Sequence, residues 1–224
     1  STASNAVNLS RANSVKNALG NPVAAFMAQL TTERLLAIVY MSSPSSANLA
    51  RLNVQETKTT ATAADLRSTF TGSTVSDASP AEKQAVAGLL RGIASLPSLR
   101  SQVSAQIIPS SRAFSEYNAI VQQSYRVLSA AIRQQDNAQL VAQALAFVRM
   151  GQSEDMLAQE NTLLTAGQTS HQFSPANLQA FTQLVGSRRA FYNLTLPDLD
   201  PQYRAYYTHA ISPREYLALL SLEN

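Results

Sequence analysis

Two adjacent charged residues interrupt an otherwise apolar segment near the start of the chain. Residues 21–42 repeat apolar side chains at steps of three and four, and Glu33 and Arg34 occupy the turn where that stripe should continue. Because an unpaired buried charge is very costly, the Arg34 guanidinium must either pair with a carboxylate or line a polar cavity. Both alternatives stay open, and Glu56 and Glu154, which lie on stripes of their own, are the candidate partners.

A second arginine interrupts the apolar stripe of residues 175–194. That stripe reaches Arg188, whereas Arg189, one step further, is predicted to face solvent. Two guanidinium groups that face an interior offer planar sets of donors, which suit a small oxyanion. The pattern therefore offers Arg34 and Arg188 as an anion site, with structural ion pairs as the alternative.

Other chemistry has little support in the sequence. There is no cysteine, and neither histidine, His171 or His209, has a companion at metal-ligand spacing. No phosphate-cradling glycine loop, nucleophile elbow or paired catalytic motif is present, so we predict no catalytic residues, no metal site and no cofactor. The net charge of +3 is spread along the chain, which argues against a nucleic-acid partner. No apolar run approaches the roughly 20 residues needed to span a bilayer.

Helical periodicity accounts for nearly the whole chain. Asn21 and Pro22 fit an N-cap and a first helical position, and Pro97 should end one helix and begin another. The predicted elements are a segment to residue 19, helices over 22–41, 46–70, 80–95, 111–134, 138–166 and 175–194, a short helix between Pro97 and Pro109, a loop over 71–79, and short helices at Pro201 and Pro213. Short loops between long helices predict an all-α fold of two packed antiparallel four-helix-type bundles that share long helices.

Several segments resemble the nitrate- and nitrite-sensing domain family. The resemblance begins at Gln29-Leu30-Thr31-Thr32-Glu33-Arg34 and continues through residues 55–60, Tyr117-Asn118-Ala119-Ile120, residues 154–164 and Arg188-Arg189-Ala190-Phe191-Tyr192. The residue pattern is most similar to the version of the domain that is found outside the membrane in actinobacterial sensor histidine kinases. The resemblance implies that residues 1–224 form one extracytoplasmic sensor domain, that the domain is a homodimer, and that absent flanking membrane helices carry its signal to a kinase.

The resemblance also implies which residues hold nitrate or nitrite. Arg34 matches the arginine on the first long helix, with Glu33 beside it, and Arg188 or Arg189 matches the arginine on the last. The sequence departs from the family pattern at four places. Leu35 follows the Glu-Arg pair, and the other departures are Gln55-Glu56, Thr59-Thr60 and Glu160-Asn161. The lost arginines and the added carboxylate predict weaker anion binding.

These observations predict a non-catalytic sensing domain whose helices rearrange when a ligand binds. The ligand is expected to be a small anion or an extracellular protein. The alternative is a helical structural or protein-interaction module that has no small-molecule ligand.

Overall fold

The computed structural model describes residues 20–71 and 78–210, and these residues confirm the all-α prediction. They form seven α-helices and one short 3-10 helix, without a strand in these ranges. The helices are α1 (Asn21–Ser42), α2 (Ser46–Thr71), α3 (Pro80–Ser104), α4 (Ser110–Ile132), α5 (Ala138–Ser170), α6 (Pro175–Thr195) and α7 (Pro201–Ala210), with the 3-10 helix Leu196–Asp198 before α7. The predicted segment before residue 20, most of the predicted loop, at residues 72–77, and the predicted helix at Pro213 lie outside the described residues.

The first four helices form an up-down-up-down bundle around one apolar core. Short turns join α1 to α2 and α3 to α4, so each pair packs as an antiparallel hairpin, and α1 also packs against α4. Each helix contributes fully buried side chains to this core, among them Phe26, Leu52, Leu89 and Tyr117. Burial of these apolar stripes is the main force that holds the four helices together.

The longest helix, α5, connects this bundle to the rest of the fold. It spans 33 residues and packs against α1 and α4 on one side and against α6 on another. Two smaller apolar clusters lie beside it, one formed by α5, α6 and α7 with the 3-10 helix, and one formed by α5 and α6 with Phe114 of α4. The predicted sharing of a long helix between two packed groups of helices therefore describes α5.

The predicted break at Pro97 is wrong, because α3 runs through this proline to Ser104. A proline in a helix removes one N–H donor, and here that donor would have bonded to the carbonyl of Ile93. The ring lies on the exposed face, while Leu96, Leu99 and Val103 continue the buried stripe. Packing of this stripe outweighs the lost hydrogen bond.

The start of α1 also differs from the prediction. Gly20, not Asn21, occupies the N-cap position, and its right-handed helical φ of −64° and ψ of −49° give the helix no extended residue from which a side chain could cap it. The side chains of Ser79 and Ser174 cap the N-termini of α3 and α6. Ser79 accepts a hydrogen bond from the Glu82 amide and Glu82 bonds back to the Ser79 amide, which forms a capping box.

Contrary to the sequence-based expectation, α1 is long and apolar enough to cross a membrane by length and composition alone. Buried helices of globular cores have the same composition. In this fold α1 lies among α2, α4 and α5, and it buries Glu33 and Arg34 against partners on three neighbouring helices. We therefore assign α1 to the core.

Candidate functional site

Arg34 takes part in a closed ring of four polar side chains that joins three helices. Its Nη1 donates to Asn118 Oδ1 of α4 at 2.7 Å, and Asn118 Nδ2 donates to Gln159 Oε1 of α5 at 2.9 Å. Gln159 Nε2 in turn donates to Asp155 Oδ2 at 2.8 Å, and Asp155 Oδ1 lies 3.0 Å from Arg34 Nη2. The ring therefore couples α1 to α4 and α5 through buried polar contacts.

One edge of the Arg34 guanidinium makes no hydrogen bond within the described part of the chain. This edge carries Nε and Nη2; Nη2 is close enough to Asp155 Oδ1 for an ion pair but is not aligned with it for a hydrogen bond. The side chain is fully buried, and the Phe114 ring centroid lies 5.8 Å from its Cζ atom. An edge with two parallel donors is the part of arginine that binds planar oxyanions.

The charge of Glu33 is neutralised by a residue of α3, whereas the charge of Arg34 is neutralised by a residue of α5. Arg100 of α3 grips its carboxylate with the same kind of edge, Nε to Oε1 at 2.9 Å and Nη2 to Oε2 at 2.8 Å. The Tyr117 hydroxyl donates to Oε1 at 2.9 Å. Arg100 also donates to the Thr60 hydroxyl and to the Glu56 carbonyl oxygen. The fully buried Glu33 thus accepts three hydrogen bonds and is a structural charge in this arrangement.

Burial and the Glu33 carboxylate also change the pKa of neighbouring groups. Burial first, and then the charge of Glu33, raise the pKa of Tyr117 well above its usual value, so this tyrosine stays protonated and donates its hydrogen bond. Burial, with a further contribution from Glu33, raises the pKa of the half-buried Glu56 carboxyl, and Arg100 opposes this rise. The region around Glu33 therefore disfavours further negative charge.

Arg188 lies in a separate buried ion pair. Its Nε donates to Glu160 Oε1 of α5 at 2.8 Å, and the Ser153 hydroxyl lies 3.5 Å from its backbone carbonyl oxygen. Both side chains of the pair are buried. Arg189 is half-buried, not fully exposed as its position on the stripe predicted. Arg34 and Arg188, which the sequence offered as one anion site, therefore lie in two separate ion pairs, to carboxylates five residues apart on α5.

Arg34 does form an ion pair, but with neither of the two candidate partners. Glu154 is exposed, and Glu56 lies near Arg100; the partner is Asp155. Periodicity places a residue on a helix face only to within about one position, and adjacent residues differ by about 100° around the axis. The sequence pattern therefore predicted the correct turn of α5 but the wrong carboxylate on it.

The other members of the two networks were not singled out as site residues. These are Arg100, Thr60, Asn118 and Gln159, together with Asp155. Asn118 and Gln159 lie within segments that resemble the sensing family, but nothing in the sequence connected them to Arg34. Arg100 could have been found from its place on the continued α3 stripe had Pro97 not been taken as a break. In the described residues no group of three metal-ligating side chains comes together.

Comparison with known proteins identifies the family. A family model described as nitrate and nitrite sensing matches residues 25–224, which is most of the chain and includes every network residue above. The chain belongs to this nitrate and nitrite sensing family. Its role is therefore that of a sensing domain, not a catalytic one.

A solved structure shares the fold of this sensing domain. The structure is described as that of the NasR transcription antiterminator, and it matches with a TM-score of 0.79 at 15% sequence identity. The match covers 95% of this chain and 58% of the other, so the sensing domain spans little more than half of that protein. At this identity the likeness shows the fold alone. No curated protein matches the chain.

Proposed function

We propose that this domain senses nitrate or nitrite by binding the anion at the Nε and Nη2 edge of Arg34. The observation that carries the proposal is that this edge belongs to a fully buried guanidinium and makes no hydrogen bond in the described chain. Nitrate is planar and trigonal like a carboxylate, so two of its oxygens can accept from both donors, as Glu33 does from Arg100. The family match supports this ligand class.

Asp155 is the internal competitor of the anion in this proposal. Its Oδ1 lies 3.0 Å from Arg34 Nη2, so an incoming oxyanion takes the position that this carboxylate now holds. The displaced Asp155 keeps its hydrogen bond from Gln159 but loses its cation, and such a buried carboxylate is unfavourable. The free-energy cost of this unpaired carboxylate falls when α5 moves relative to α1. Anion binding thereby selects a second packing of the helices, which is the signal.

The first experiment is calorimetry with nitrate and nitrite, with chloride at equal ionic strength as the control, on the parent chain and on Asp155→Asn. Removal of the competing carboxylate should tighten nitrate binding by at least about tenfold, because the anion becomes the only counter-charge for Arg34. If neither protein gives a heat of binding with nitrate while both remain folded, the proposal is refuted. The matched control is Arg34→Gln/Asp155→Asn, which removes both charges together and should fold without binding nitrate.

The variant Arg34→Ala tests the structural alternative. Anion sensing expects it to fold and to lose nitrate binding. A variant that unfolds, together with a parent chain that nitrate does not stabilise, would assign Arg34 a structural role only. The described chain would then fit a helical interaction module without a small-molecule ligand.

We further propose that the domain is the extracytoplasmic part of a membrane-bound sensor histidine kinase from an actinobacterium and that it works as a homodimer. The resemblance of its motifs to such receptors supports this context. A second candidate parent is a transcription antiterminator, which the structural neighbour favours. The gene around this segment decides between them: membrane helices on both sides and a kinase region support the receptor. Light scattering with and without nitrate tests the homodimer.

A further inference from the structure

A basic cavity lies between α3 and α4, and none of the residues of the Arg34 ring lines it. The cavity is open to solvent and has a volume of about 520 Å³. Three exposed arginines line it: Arg91 of α3, Arg126 of α4 and Arg133, the residue that follows α4. Glutamine side chains surround these arginines, namely Gln84, Gln122, Gln123 and Gln152. No carboxylate is among the described residues that line it.

None of the ion pairs between described residues uses Arg91, Arg126 or Arg133. The ion-paired arginines lie elsewhere in the fold and include Arg34, Arg100, Arg112, Arg149 and Arg188. Arg126 Nη1 lies instead 3.5 Å from the neutral Gln123 Oε1. Gly88 leaves room for this arrangement, because a Cβ atom there would lie 2.8 Å from Gln123 Oε1 and 3.9 Å from Arg91 Nη2. A neutral amide therefore lies beside the Arg126 guanidinium, where a carboxylate would balance its charge.

The spacing of the arginines favours a ligand with several negative groups. Arg126 lies on α4 and Arg133 is its C-cap, seven residues later, so their backbones are separated by about 10 Å along the helix axis. Each arginine can then bind a different negative group of one ligand, and a monovalent anion such as nitrate offers only one such group. A cavity of this volume has room for a small-molecule ligand, and glutamine amides can supply further donors to oxygen atoms.

We propose that this cavity is a second anion site that binds a multivalent oxyanion, a polycarboxylate or a polyphosphate, independently of nitrate at Arg34. Arg91 on one helix and Arg126 and Arg133 on the next would clamp the ligand between α3 and α4. At the edge of the cavity Gln152 of α5 lies 3.5 Å from Gln122 of α4, so a bound ligand would also contact the helix that carries Asp155.

Calorimetric titrations of the chain with tripolyphosphate and with citrate, at low ionic strength, test this site. We expect saturable binding of at least one probe, and which probe binds more tightly separates a phosphate ligand from a carboxylate ligand. Gln123→Glu supplies the missing carboxylate beside Arg126 and should weaken binding by at least about tenfold while the protein stays folded. The control is Arg67→Gln, which removes an exposed arginine of α2 outside the cavity and should leave binding within about twofold.

Two results would overturn the site. One is the absence of saturable binding by either probe at millimolar concentration. The other is equal weakening by Gln123→Glu and Arg67→Gln, which would show attraction to the net charge of the whole protein. Nitrate titrations of Gln123→Glu keep the two proposals apart, since nitrate binding should be unchanged there whether or not the cavity binds its own anion.

Discussion

Glu33 and Arg34 have opposite charges and adjacent positions, yet each pairs with a residue of another helix. Neighbouring residues on a helix point about 100° apart, so their side chains do not face each other. Glu33 therefore meets Arg100 of α3, and Arg34 meets Asp155 of α5. One turn of α1 thus carries one charge that is fully hydrogen-bonded and one whose Nε and Nη2 atoms make no hydrogen bond within the described residues.

Removal of one partner should show that the Glu33 pair is structural. Arg100→Met leaves the buried carboxylate with only the Tyr117 hydroxyl and should lower the free energy of unfolding by about 3 kcal/mol. Glu33→Gln/Arg100→Met removes both charges and should cost less than the single arginine substitution. Urea denaturation measures both. A double variant less stable than the single would mean that Arg100 contributes little through the Glu33 charge.

Glu56 should make stability depend on pH in the direction opposite to a salt-bridged carboxylate. Its folded-state pKa lies above the ordinary value of 4.5, so the folded protein binds this proton more tightly than the unfolded chain does. Stability from this group therefore falls as pH rises from about 4.5 through the raised pKa. Glu56→Gln should stabilise the protein at pH 7 and have little effect at pH 4. Equal effects in thermal unfolding at both pH values would contradict the assignment.

The sequence was informative about which residues are buried and charged, and less informative about their partners. An interruption of an apolar stripe is visible in a single helix, which is why Glu33, Arg34 and Arg188 could be found. The partner depends on the rotation of a second helix about its axis, and an error of one residue exchanges Asp155 for Glu154. Packing between helices fixes that rotation, and periodicity within one helix does not.

At the scale of the helices, α3 shows how packing can outweigh a local signal. Pro97 is a strong helix breaker in isolation, but buried residues on both sides of it keep one continuous stripe against the core. Most other helices followed the prediction to within a few residues, because long periodic segments are recognisable from sequence. The starts of α5 and α6 are also marked by capping residues, Asn137 and Ser174. The helix whose end was predicted wrongly, α3, also supplies Arg100 to Glu33.

Pro97→Ala should therefore stabilise the protein. Alanine restores the missing amide donor at an exposed position, and the gain should be about 1–3 kcal/mol after the greater freedom of the unfolded chain is subtracted. Pro80→Ala is the matched control, because Pro80 is also exposed but lies in the first turn, where its amide would have no partner within the helix. Chemical denaturation should show a gain for the first variant and almost none for the second. A loss at Pro97 would mean that the proline fits the local backbone without cost.

At the scale of the whole molecule, α5 carries the contacts that a sensing signal would use. It packs against α1 and α4 of the first bundle and against α6, and its Asp155 and Glu160 hold the arginines of α1 and α6 respectively. A change at either ion pair is therefore a change in the position of one helix against both of its neighbours. The match covers only 58% of the antiterminator chain, so a domain of this fold can be one part of a longer chain.

Hydrogen exchange should separate the two proposed anion sites within the intact fold. Nitrate at Arg34 replaces the contact to Asp155, so changes in amide protection should lie in α1, α4 and α5 near the polar ring, and they should be absent in Arg34→Gln/Asp155→Asn. Tripolyphosphate or citrate should protect α3 and α4 around the basic cavity and should do so in the same double variant. Identical protection patterns for the two ligands would show one shared site. Distinct patterns that both extend along α5 would show that this helix links the two sites, since a helix that touches both can move only as one element.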